Sequence, residues 1–195
     1  MEKYKERNTY LEQLIAFKDQ EPVKIITGIR RCGKSTVMKM MMQYLLEHDI
    51  PAEQIIYINF ESNKFDEFDR RQVYQYISER IIYGKKTYIF LDEPQTIENW
   101  NKTVNSFQVD FDCDIYITGS NAYLLSSEYA TYLSGRYVEI RMLPLSFKEF
   151  ISFQGYTLKN HVTPLGECKK RAYSSDGDIV DLTELLEAYV RYGGF

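Results

Sequence analysis

No apolar run in this chain approaches the roughly 20 residues a bilayer-spanning helix requires, and Met1 to Asp19 carries too many charges for a secretory leader. Both absences predict a cytoplasmic protein with no membrane partner. Cysteine is scarce: Cys32, Cys113 and Cys168 lie far apart and without metal-ligand spacing, which excludes a disulfide framework and a zinc site and predicts reduced thiols. Neither an internal repeat nor a low-complexity linker is found. Basic charge is also in short supply. Lys and Arg number 24 against 28 Asp and Glu, for a net charge of −4, which argues against wholesale electrostatic binding of nucleic acid. The one local exception, Lys169-Lys170-Arg171, reads as a solvated loop.

What is present suits a folded globular core. The 195 residues are 44% hydrophobic and 27% charged, enough for one globular domain with a small appendage. The strongest local signal is Gly28-Ile29-Arg30-Arg31-Cys32-Gly33-Lys34-Ser35, which fits G-x-x-x-x-G-K-[ST] and follows the apolar run Val23 to Ile26. This is the Walker A pattern of a phosphate-binding loop. Glycines let backbone N–H groups converge on an anion, and the following helix points its positive dipole end at the same spot. Gly28, Ile29, Arg30, Arg31, Cys32 and Gly33 would form the cradle, with Lys34 reaching the β- and γ-phosphates of a bound nucleotide. The Ser35 hydroxyl would hold Mg²⁺, and Thr36 would lie near the α-phosphate.

Periodicity places elements around this loop. Thr9 to Glu12 has capping-box form ahead of a short amphipathic helix carrying Leu11, Leu14 and Ile15. Val37 to His48 is apolar nearly all round, which predicts an enclosed helix. Ile55 to Phe60 reads as a strand buried on both faces, Val73 to Ile81 as a helix closed by Gly84, and Thr87 to Leu91 as a second buried strand. Trp100, Val104 and Phe107 mark one helix face, Asp114 to Thr118 a strand, and Leu124 to Ser134 a helix. Tyr137 to Met142 alternates as a strand, Leu145 to Phe153 reads as a helix, and Asp181 and Glu184 cap a last helix through Val190. Residues from Gln154 to Gly177 give no assignable pattern. Strands alternating with helices predict an α/β fold with a five-stranded parallel sheet and helices on both faces. The expected division is a core over 1–153 and a second part over 154–195.

Chemistry gathers at the strand ends. Tyr88 to Leu91 runs into Asp92-Glu93, the Walker B arrangement: Asp92 would serve Mg²⁺ directly or through water, and Glu93 would polarise the attacking water. Ser120, after the strand ending at Thr118, is the first choice for a γ-phosphate sensor, Asn121 the second and a helix cap the bland alternative. Arg136 is a candidate arginine finger, with Arg30 and Arg31 competing for that role and an ordinary ion pair as the alternative.

These segments, together with Ile117 to Glu128, Tyr132 to Ile140 and Leu143 to Phe150, resemble the prokaryotic AAA-family ATPases that carry a nuclease-like C-terminal domain. The likeness runs from about Tyr10 to Phe195. It implies an AAA-like P-loop NTPase core with sheet order 5-1-4-3-2 and supports the roles given to Lys34, Ser35, Asp92, Glu93 and Ser120. Two departures stand out. Pro94 replaces the apolar residue that usually follows Asp-Glu, and the sequence stops at Phe195 before the winged-helix and nuclease-like portions the resemblance implies. The expected activity is Mg²⁺-dependent ATP hydrolysis coupled to a C-terminal effector that meets nucleic acid or protein, in a chain that could form homo-oligomers. An ATP-dependent switch with little hydrolysis is the alternative. A small-molecule kinase also uses Walker A, but Asp92-Glu93 and the lack of an arginine-rich lid weigh against it.

Overall fold

The computed structural model describes residues 7–119, 136–162 and 168–192. They fall into two compact units that divide after Met142. The first contains α1 (Asn8–Ala16), β1 (Val23–Gly28), α2 (Lys34–Glu47), β2 (Ile55–Asn59), α3 (Arg70–Ser78), β3 (Thr87–Asp92), α4 (Trp100–Asp110), β4 (Cys113–Gly119) and β5 (Tyr137–Met142). All five strands are parallel, in the order β2-β3-β4-β1-β5. That is the order 5-1-4-3-2 expected from the resemblance.

Alternation along the strands builds two cores, one on each face of the sheet. Ile25, Ile58, Ile89, Leu91, Ile115 and Ile117 pack on one face against Val73 and Ile77 of α3 and Trp100, Val104 and Phe107 of α4. Ile26, Tyr88, Phe90, Tyr116, Ile140 and Met142 pack on the other against Leu14 of α1 and Val37, Met38, Met41 and Leu45 of α2. Each such buried apolar side chain contributes roughly 1.5–3 kcal/mol. Strands covered on both sides should read as unbroken apolar runs, and β1, β3 and nearly all of β4 are buried throughout.

Several expectations need adjustment. β2 lies at the sheet edge, so Ile56 and Ile58 are buried while Ile55, Tyr57 and Asn59 are half-buried. In α2 the apolar character does run nearly all round, yet Leu46 and Lys39 face solvent, because the helix covers the sheet with one side only. The helix α1 starts at Asn8 with Arg7 as its cap and no side-chain cap bond, so the Thr9 to Glu12 pattern goes unused. Ahead of α3, Asp69 and Gln72 form the reciprocal capping box that the sequence reading passed over.

The second unit holds α5 (Phe147–Phe153), β6 (Thr157–Val162), β7 (Cys168–Tyr173), β8 (Ile179–Val180) and α6 (Leu182–Tyr192). The stretch left unassigned is thus an antiparallel sheet in the order β6-β7-β8. Phe150 and Ile151 of α5 pack with Ala172 of β7 and Leu185 of α6. This shared core is why the division falls after Met142 rather than after Phe153. The capping box Ser146–Glu149 starts α5, and Asp181 Oδ1 accepts from Thr183 N at the head of α6.

Candidate active site

The carboxyl ends of β1, β3 and β4 lie side by side: Thr27 is in register with Gly119, and Asp92 with Thr118. In parallel sheets this edge is where ligands bind. Here the chain leaves β1 through Gly28, whose φ of 154° and surroundings admit no side chain. A Cβ at that position would lie 2.6 Å from the Met142 carbonyl oxygen and 2.7 Å from Cys32 Sγ. Arg31 (φ 66°) and Gly33 (φ 95°) both take the left-handed conformation, and the loop then enters α2 at Lys34. Open amide groups at the start of a 14-residue helix form a ready anion site.

Lys34 is 5% exposed. Its Nζ lies 3.3 Å from the carbonyl oxygens of both Gly28 and Ile29 and 3.5 Å from Glu93 Oε1. These are long contacts for an ammonium. Ser35 Oγ donates to Asp92 Oδ1 at 2.9 Å, and Asp92 Oδ1 also accepts from Thr118 Oγ1. The Tyr57 hydroxyl donates to Asp92 Oδ2 at 2.9 Å. Three hydroxyl donors therefore fix a carboxylate that is 2% exposed.

Glu93 follows with φ 56°, a costly backbone state for a residue with a side chain. Its N–H is held by Thr118, whose carbonyl and hydroxyl oxygens both lie 3.2 Å away. Pro94, at the first position of the single turn Pro94–Thr96, fixes the chain direction immediately afterwards. Gln95 in that turn donates through Nε2 to Glu93 Oε2.

The site opens into a cavity of about 590 Å³ lined by Arg30, Arg31, Gly33, Lys34, Ser35, Thr36, Glu61, Glu93 and Gln95. The structure thus brings Lys34, Ser35, Asp92 and Glu93 together with both loop arginines. Arg30 is exposed, with its guanidinium 3.9 Å from Glu61 at the rim. Cys32 is buried behind the loop, where its carbonyl accepts from Arg7 Nη1 at 2.8 Å. Glu61 and Gln95 were missed by the sequence reading; the only signal was their place just beyond β2 and β3. Ser120, its alternate Asn121 and the helix expected over Leu124 to Ser134 lie outside the described residues.

Arg136 does not join this group. Its carbonyl accepts from Val23 N at 2.9 Å, at the amino end of β1, about 15–20 Å along the strand from the loop. Its guanidinium donates to Asn105 Oδ1 at 3.1 Å and borders a separate cavity of about 460 Å³ with Asp19, Lys86 and Asp112.

The donor set suits a polyanion carrying a magnesium ion: amides, a lysine and two arginines on one side, a hydroxyl and a carboxylate on the other. Among the described residues no cluster of three His, Cys, Asp or Glu could hold a metal alone. Magnesium commonly takes one or two protein groups and fills its shell with water and phosphate oxygens, which this arrangement allows.

Sheet order, loop and acidic pair together define a P-loop nucleoside triphosphatase fold. The family model described as "AAA domain" matches residues 20–151, and the chain belongs to that family. An uncharacterized protein of Haemophilus influenzae is 42% identical over 97% of this chain and 43% of its own length. An uncharacterized protein of Methanocaldococcus jannaschii is 30% identical over 89% of this chain and 35% of its own length. The chain therefore spans less than half the length of these curated relatives. Among solved structures, Cdc6p from Pyrobaculum aerophilum is similar in fold, with a TM-score of 0.54 at 13% identity, covering 79% of this chain and 49% of that one. Among the described residues no helix is long and apolar enough to cross a membrane.

Proposed function

We propose that this chain binds MgATP in the cavity above β1 and β3 and hydrolyses it by water attack on the γ-phosphate. One observation carries the reading: Lys34, Ser35 and Glu93 line one cavity beside the start of α2, and Asp92 lies behind them in a hydrogen bond with Ser35. In this mechanism the loop amides and Lys34 bind the β- and γ-phosphates, and Arg30 and Arg31 add positive charge at the mouth. Ser35 and Asp92 would hold the magnesium ion, Ser35 through its hydroxyl and Asp92 largely through water, since its oxygens already accept from Thr118, Ser35 and Tyr57. The ion supplies charge that draws electron density from the phosphoryl group. Glu93 accepts a proton of the attacking water, and its left-handed backbone, pinned by Thr118, aims the carboxylate into the cavity.

The coupling proposed here is of this ATPase to a C-terminal effector that meets protein or nucleic acid; the relatives are more than twice as long as this chain. Arg136, far from its own chain's pocket, would act only on a neighbouring subunit's nucleotide. Turnover per subunit that rises with protein concentration tests that assignment. Phosphate release from MgATP without added acceptor tests the reaction itself. It should occur in the wild-type chain and be lost in Glu93→Gln while fluorescent-ATP binding is kept; equal release from both proteins would remove Glu93 from its role.

A further inference from the structure

Tyr57 is the residue around Asp92 that neither sequence motif accounts for. It stands on the edge strand β2, outside the phosphate loop and the acidic pair, yet its hydroxyl lies 2.9 Å from Asp92 Oδ2. Strand register explains the reach. Tyr57 pairs with Phe90, so it shares a sheet face with Phe90 and, two residues on, with Asp92. Such diagonal neighbours are about 7–8 Å apart, a gap that an aromatic side chain spans. The Tyr57 ring packs against the core under α2, so packing already holds the side chain that delivers the hydroxyl.

The second clue is what surrounds Asp92. A carboxylate accepts only, so three hydroxyls commit their protons to it: Ser35 and Thr118 to Oδ1, Tyr57 to Oδ2. Among the described residues no lysine or arginine pairs with Asp92; Lys34 pairs with Glu93 instead. A carboxylate only 2% exposed and without a cation is a costly arrangement. Ser35 shows how a cation would offset that cost. This residue lines the cavity, and with its proton committed to Asp92 its oxygen meets a further partner through a lone pair. The hold on Asp92 therefore decides whether Ser35 serves as a ligand for a cation or as a donor.

We propose that Tyr57 is a positioning residue for magnesium, acting through Asp92 on Ser35, an inference that rests on the MgATP reading above. Ser35 and Thr118 both sit on Oδ1, so Tyr57 alone among the described residues holds Oδ2. Without the phenol, Oδ2 is a buried acceptor lacking a donor. The carboxylate regains one by rotating, and rotation moves the oxygen that keeps the Ser35 proton in place. Outer partners of this kind commonly carry about 10–100-fold of metal affinity.

The test titrates a fluorescent, non-hydrolysable ATP analogue in EDTA and in saturating Mg²⁺, with a melting curve, for wild type, Ser35→Ala, Tyr57→Phe and Tyr57→Leu. In Tyr57→Phe the affinity gained from Mg²⁺ should fall about 10-fold or vanish, while affinity in EDTA stays within about two-fold of wild type. Tyr57→Leu also lacks the hydroxyl, should show the same loss, and stands in if the phenylalanine variant fails to fold. A structural role alone would weaken both arms alike, and that result overturns the inference. A magnesium gain within about two-fold of wild type in the folded Tyr57 variants, but lost in Ser35→Ala, overturns this inference alone. Wild-type binding that ignores magnesium and is unchanged in Ser35→Ala overturns the MgATP reading and this inference with it.

Discussion

Two lysines are shut away from solvent at opposite edges of the same sheet, and their surroundings could hardly differ more. Lys24, at the amino edge of β1, is 0% exposed. Its ammonium lies 2.5 Å from Asp114 Oδ1 and 2.6 Å from the Gln20 carbonyl oxygen, and 5.6 Å from the centre of the Tyr116 ring. Asp114 in turn accepts from the Tyr116 hydroxyl and the Asp19 N–H. Lys34, at the carboxyl edge, has among the described residues only acceptors at 3.3–3.5 Å. Burial is alike; satisfaction is not. A buried charge whose hydrogen bonds are all short is part of the scaffold, whereas one held loosely at a cavity wall is free to transfer its bonds to an incoming anion.

The comparison breaks most visibly at Lys24. Lys24→Ala should lower unfolding free energy by about 3–5 kcal/mol, because Asp114 would stay buried without its partner; urea denaturation reads this directly. Lys34→Ala should leave the urea midpoint close to wild type, and a loss comparable to that of Lys24→Ala would erase the contrast. Next in size, Glu93→Gln should reduce phosphate release by about 10²–10⁴-fold with ATP still bound, the range for removing a positioned general base. Fluorescent-ATP titration of Lys34→Ala should show about 10–100-fold weaker binding, the worth of one or two charge-assisted bonds, while Arg136→Ala should not weaken it at all.

The smallest effect concerns the amino edge and pH. Burial, reinforced by the hydrogen bond to the Asp19 carboxylate and its charge, pushes the Tyr88 hydroxyl up from 10.0 to about 12. A phenol whose folded value is raised contributes stability that is whole below its unfolded value of 10.0 and is lost as pH climbs through about 12. Denaturation followed from pH 9 to 12 should therefore show part of the alkaline loss vanishing in Tyr88→Phe, which itself should cost about 1 kcal/mol at neutral pH. An unchanged alkaline profile would detach Tyr88 from that loss.

The two edges were not equally legible. Lys34, Ser35, Asp92 and Glu93 stand in short motifs whose spacing reflects a geometric need, so reading the string locates them. Lys24 stands in the apolar run Val23 to Ile26, and nothing local marks it as charged and buried; its partner Asp114 lies 90 residues away. Gln95 escaped for a related reason, since only the fold shows that its amide nitrogen reaches Glu93. The unassigned β6, β7 and β8 follow from one-sided cover. Leu158, Ala172 and Val180 face the small core, while the alternate Lys159 and Arg171 pair across the strands, so apolar residues are too few to register as a run. Strand existence in the main sheet was plain because both faces are covered; the strand order came from resemblance rather than from periodicity.

The Arg7 hydrogen bond to the Cys32 carbonyl bears on where this domain begins. The family match opens at residue 20, yet α1 lies ahead of it, with Leu14 wholly buried against α2 and Arg7 bracing the back of the phosphate loop. A protein trimmed to the family boundary would keep every motif residue and lose part of the wall behind them. The compact unit and the stretch that the family model matches are different lengths, and shortened versions meant to bind nucleotide should start before Arg7.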